Sequence, residues 1–323
     1  MSRCRSLPLA ALTLFAVSAH AQSLADARTC ERAITGSATD RAAISRMAAA
    51  SRTSPVAHFA AGCAHVMAAA WDSAAIRFDA AAKGNPRSSA AFLWVGNITG
   101  QLARISPDVQ AKVRLAPKIR DAYTTAIALD GNNIDAREGL MQFLLDAPAP
   151  LGGDKAKAAE QALAITRIHP YRGLSAQITV AASKRDNVAT ERLLASATTQ
   201  FPDSVLGWAN LSAMQADANR PAEAFATISR WQARRSHAMF ALFSLGRTAA
   251  VTGQQLERGE QALKQYLRGP RGPNDPPVAN ANYRLGQIYE RQKRTADARA
   301  AYQLALRSNP TMRDAQTALD RVK

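Results

Sequence analysis

Few residues in this 323-residue chain have the type and spacing to do chemistry. His58 and His65 stand seven apart, a spacing that puts two imidazoles on a similar face of one helix, where they could approach a metal. Neither a His-Glu-x-x-His nor a Cys-x-x-Cys motif accompanies them, so no ligand set closes around an ion. Gly152-Gly153-Asp154-Lys155 has some glycines of a phosphate loop. It lacks the first glycine at the required spacing and the Ser or Thr after the lysine, and the Asp154 carboxylate would repel phosphate. A tight turn with Asp154 capping the next helix accounts for the same residues. Asn97-Ile98-Thr99 matches a glycosylation acceptor but falls mid-helix, and no Ser/His/Asp or Cys/His set stands out. We therefore expect a protein that is not an enzyme, with no catalytic residues, no cofactor and no metal.

The elements that would position any site are helices. Alanine is abundant, β-branched runs are absent, and apolar residues recur at spacings of three and four rather than two. Alanine combines high helix propensity with small volume, which suits closely stacked helices. The last forty-odd residues carry Leu285-Gly286, Tyr289, Ala298, Tyr302, Ala305 and Pro310. Gly286 and Ala298 are small where helices would approach closely, Tyr302 and Ala305 make a large–small pair, and Pro310 stops the helix. The same offsets return in Gly62, Ala74, Phe78, Ala81 and Pro86, and again in Trp208, Leu211 and Ala224.

This pattern resembles the tetratricopeptide repeat (TPR), a helix–turn–helix unit of about 34 residues. The resemblance covers essentially the whole chain after residue 21. It implies an all-α fold, a right-handed α-solenoid of TPR-like helix hairpins. About eight units are expected over 24–55, 56–88, 89–133, 134–171, 172–204, 205–236, 237–275 and 278–311. Thr311–Lys323 offers Met312, Ala315, Leu319 and Val322 on one face, as the C-terminal capping helix (312–323) of an open stack would. The third unit is read from Gly96, Tyr123 and Ala126, with Gly131 ending its second helix in a left-handed cap. In the seventh, the second helix through Ala262 and Tyr266 is shifted by a residue. Three insertions break the period. Ala103–Lys118 is expected to lengthen a turn, Ala147–Asp154 does the same in the next unit, and the proline-rich Arg268–Ala279 separates the last two.

Met1–Ala21 reads as a secretory signal: Arg3 and Arg5, an apolar stretch from Leu7 to Val17, and Ala19-His20-Ala21 as the cleavage site after Ala21. That apolar stretch is shorter than the roughly 20 residues a bilayer span needs. We expect a periplasmic or secreted single domain, 22–323, without a transmembrane segment. Export leaves two cysteines, Cys30 and Cys63, where disulfides persist. Either they bridge adjacent helices, or they are two buried thiols acting as small apolar residues.

The formal charge is +16, falling to about +14 without Arg3 and Arg5, and the excess is concentrated from Arg230 onward. Either the basic third attracts an anionic surface, or it reflects an arginine-rich composition. Nucleic acid is not expected, because no recognition motif accompanies the charge. The resemblance implies that first helices line a concave groove, here through Phe59, Leu93, Asn97, Phe240, Phe243, Arg247, Tyr283, Gln287 and Glu290. It places His58 and His65 at packing positions. The Lys-Asn-Arg clamp of chaperone-binding relatives is not reproduced. The expected function is a non-catalytic scaffold that holds a protein or peptide partner in this groove. The alternative is a basic module that docks on an anionic envelope lipid or cell-wall polymer.

Overall fold

Polar caps and short turns divide the chain into helices. The computed structural model describes Cys30 and residues 36–50, 53–234 and 237–322. Among the described residues there are sixteen α-helices and no strand. The expected signal segment and most of the first expected helix lie outside the described residues.

Two compact units divide at Lys184 and Arg185, inside the span expected for the fifth hairpin. The first holds α1 (Ala38–Ala50), α2 (Pro55–Met67), α3 (Trp71–Gly84), α4 (Ser89–Ile105), α5 (Val109–Leu129), α6 (Ile134–Asp146), α7 (Lys155–Ile168) and α8 (Pro170–Ser183). The second holds α9 (Asn187–Gln200), α10 (Val205–Asp217), α11 (Pro221–Ala233), α12 (Ala238–Thr252), α13 (Leu256–Arg268), α14 (Val278–Arg291), α15 (Thr295–Ser308) and α16 (Arg313–Arg321). Within each unit consecutive helices pack on one another, and alternate helices also touch, α4 on α6 and α10 on α12 on α14.

Ser54, Ser88, Asp108, Asn133, Asp154, Asp186 and Ser204 each accept a backbone N–H at a helix start, meeting donors that the helix itself leaves open. Three of the turns share one device. Ala69, Asn219 and Lys293 take positive φ of 52°, 56° and 61°. The next residue in each case donates back five positions, as in Ala70 N to His65 O at 2.9 Å and Arg294 N to Tyr289 O at 2.8 Å. This closes the helix end and reverses the chain.

The repeat positions fill the cores. Ala74, Ala158, Ala224 and Ala298 are fully buried, as are Phe78 and Tyr302, so the small residue admits the neighbouring helix and the large one fills the gap. Ala315, Ala318 and Val322 bury the inner face of α16 against the last hairpin.

Two expectations are corrected, and a third is met. Ala103–Lys118 does not lengthen a turn: only Ser106–Asp108 separates α4 from α5, and Pro117 lies inside α5. Asp108 starts that helix by accepting from Gln110 N at 2.8 Å and Ala111 N at 3.1 Å. Gly131 is not left-handed; Gly152 and Gly253 are the described glycines with positive φ. Asp130 ends α5 instead, its side chain accepting from Asn132 N at 3.0 Å. In the seventh unit a Cβ on Gly246 would meet Leu263, whereas one on Gly286 would meet Tyr302, sixteen residues on. The one-residue shift there is therefore seen directly in the packing.

Candidate functional site

The site in the first unit starts at Tyr123 on α5. Gly96 of α4 and Gly139 of α6 both abut its ring, so closely that a Cβ on either would overlap it. Its hydroxyl donates to Asn97 Oδ1 at 2.9 Å, and burial pushes its pKa up to about 12. This ring forms the floor of a cleft of about 990 Å³. Asn97 and Gln101 of α4, Glu138 and Gln142 of α6, and Thr179 of α8 line it, so three alternate helices share one surface.

The fourth wall is the early part of α5, within the segment expected to lengthen a turn. Val109 and Val113 line the cleft yet remain 65% and 38% exposed, and Lys112 stands between them. Val109, Val113 and Ala116 recur at helical spacing, a signal that Pro117 obscured. The α6 side is acidic but mostly neutralised. Arg172 Nη2 lies 2.5 Å from Asp135 Oδ1 and 2.6 Å from Glu138 Oε2, which holds its guanidinium above the usual arginine range, Glu138 first. Asp146 accepts from Gln142 Nε2 at 2.8 Å. Chemically the cleft offers an apolar ledge, amide groups and few open charges, which suits a peptide surface.

The second unit presents another set of alternate helices. Arg247 of α12 donates to both Asp217 oxygens of α10, at 2.9 and 2.8 Å. On α14, Gln287 Nε2 donates to the Tyr283 hydroxyl at 3.0 Å, and Arg284 Nη1 donates to Gln287 Oε1 at 2.8 Å. Glu290 accepts from Arg321 of α16 and from the Tyr302 hydroxyl, all at 2.8 Å, and the Arg321 bonds hold its carboxyl below the usual glutamate range.

The expected groove residues therefore divide. Phe59, Leu93 and Phe243 are 2%, 6% and 8% exposed, so they pack cores and cannot anchor a partner. Asn97 lines the cleft of the first unit, and Arg247, Tyr283, Gln287 and Glu290 stay partly accessible in the second. Phe240 is half-buried against Trp231, ring centroids 5.9 Å apart. Arg284 was missed; it precedes the Leu-Gly pair and carried no motif. Cys30 and Cys63 are bonded in the structure, with Cα atoms 5.0 Å apart. His58 Nδ1 accepts from Arg77 Nη1 at 3.3 Å, and His65 is half-buried on the same helix. Asp154 caps α7, accepting from Ala156 and Lys157 N–H groups, while Gly152 turns with φ 99°.

Residues 279–312, which span α14, α15 and the turn between them, match the family model for the tetratricopeptide repeat. This stretch is a tetratricopeptide repeat. No curated protein matches it in sequence. Its fold is similar to that of a TPR protein from Parabacteroides merdae, with TM-score 0.53 and 15% identity, over 81% of this chain and 95% of that one. It is also similar to yeast Tom70, with TM-score 0.60 and 12% identity, over 88% of this chain but only 57% of Tom70. No described helix is long and apolar enough to cross a membrane.

Proposed function

We propose that this chain is a non-catalytic scaffold of the bacterial periplasm that holds a protein or peptide segment in the cleft of its first unit. The observation that carries this is the cleft itself. Three alternate helices and the extended α5 surround about 990 Å³, and exposed Val109 and Val113 face it. Exposed apolar side chains gathered on a concave surface favour a partner that buries them. TPR folds generally serve as interaction scaffolds, and the repeat supplies this chain with that framework. The signal-like start and the bonded cysteines support an oxidising compartment.

The alternative, a basic module on an anionic surface, has less support because many cations of the second unit already have partners. Arg220, Arg247, Lys264, Arg294 and Arg321 each meet a carboxylate within 2.9 Å.

A photo-crosslinking residue placed at Val109, Val113 or Val188 in the native host tests the reading. Val188 is 81% exposed and lies outside the cleft. Adducts to a common polypeptide are expected from the first two positions and not from the third. Equal yields from all three would count against the cleft.

A further inference from the structure

The second unit holds an arginine pair whose charge is under-compensated. Asp217, Arg247 and Arg284 come from the successive alternate helices α10, α12 and α14. Asp217 engages only Nη2 of Arg247. Nη1 of Arg247 is buried and donates to no acceptor among the described residues. Arg284 is partly buried over the Tyr283 ring, 5.3 Å from its centroid, with the neutral Gln287 amide as its bonded partner. No ion pair to Arg284 occurs among the described residues, although Asp217 and Asp314 act on it at longer range. Its pKa is lowered, first by burial and then by the charge of Arg247. By contrast Arg172, Arg220, Arg294 and Arg321 each reach a carboxylate.

A half-buried guanidinium beside another cation costs free energy that an incoming anion would recover. We propose that Arg247 and Arg284 bind a side-chain carboxylate of an acidic peptide segment. The carboxylate accepts from the partly accessible Arg284 fork, and the positive charge of Arg247 beside it adds to the attraction. The Tyr283 hydroxyl, which accepts from Gln287, has its own proton free to donate to the second oxygen. The surroundings favour an acidic partner, since residues 185–323 carry 20 basic and 12 acidic side chains. This site belongs to the second unit and stands or falls apart from the cleft in the first.

Fluorescence anisotropy with a labelled hexaglutamate peptide and the full-length chain tests it. Arg284→Gln is expected to weaken binding about tenfold, the loss of one charge-assisted bond. Arg284→Lys, which keeps charge but not the fork, should fall between wild type and Arg284→Gln. Arg247→Gln should weaken binding similarly. The doubly substituted Arg307→Gln, Arg313→Gln control removes two exposed cations and should change affinity less than threefold. An equal loss in that control would reduce the effect to net charge and overturn the proposal. Displacement of the peptide by equimolar inorganic phosphate, or binding to phosphatidylglycerol vesicles that Arg284→Gln abolishes, would reassign the pair to phosphate and overturn it as well.

Discussion

The Tyr302 ring occupies the space where a Cβ on Gly286 would stand, with its three nearest ring carbons under 3.0 Å from that position. Sixteen residues separate the two, one on each helix of the last hairpin. Gly286→Ala should therefore overpack the junction and destabilise the protein by about 1–3 kcal/mol. Gly100, also inside a helix, has nothing within 4 Å of its Cβ position. Gly100→Ala should stabilise by about 0.5–1 kcal/mol, because alanine is the better helix former. Opposite signs in thermal melts check the pair; two substitutions of the same sign would refute the packing account.

Glu290 joins the same hairpin to α16. Its carboxyl is held below the ordinary glutamate value of 4.5 by the bonds from Arg321, against burial, with the Tyr302 hydroxyl adding to the effect. A carboxyl with a depressed folded pKa stabilises above its unfolded value, and the gain is lost as pH falls through the folded one. Glu290→Gln should melt below wild type near neutral pH, and the gap should close as pH falls below the ordinary glutamate value and through the lowered one. Arg321 is 59% exposed, so the gap at neutral pH should be no more than about 1 kcal/mol. A gap that widens in acid would contradict the assignment.

The hairpins were legible because packing in a repeat depends on size, and size is written in residue type. Ala298 and Tyr302 are fully buried for the reason their offsets suggested, small against large. The groove was less legible. Phe59 and Phe243 lie on first helices, but a ring on a helix can face either the neighbouring helix or solvent, and spacing alone does not choose between them. The same limit hid Val109 and Val113, since Pro117 looks like a helix stop and in the fold sits within α5. Arg284 was invisible for another reason: its setting depends on Asp217 and Arg247, which come from two other helices.

The Cys30–Cys63 bond closes a loop with a sequence separation of 33. Cross-linking that loop restricts the unfolded chain, for about 3–4 kcal/mol in the chain-entropy model. Cys30→Ala with Cys63→Ala should lower stability by about that amount, and reducing agent should shift wild type toward the double variant. Because the bond lies in the first unit, Glu290→Gln should add independently to the cysteine substitutions. Melting of the oxidised wild type that matches the double variant would remove the bond's role.

The turns at Ala69 and Lys293 offer a test of backbone strain. Both residues take the left-handed conformation, at φ 52° and 61°, where a Cβ approaches the following carbonyl oxygen. Ala69→Gly removes that contact while keeping the hydrogen bonds from Ala70 N to His65 O and from the residue 69 N–H to Val66 O. The left-handed residue costs roughly 1–2 kcal/mol, and the added freedom of an unfolded glycine offsets part of it. Ala69→Gly and Lys293→Gly should each stabilise by about 0.5–1 kcal/mol. The same change at Ala74, buried in the middle of α3, should destabilise by at least about 1 kcal/mol, losing helix propensity and a packed methyl together. Denaturant midpoints distinguish these outcomes, and a loss of stability at both turn positions would show that the turns are not held as described.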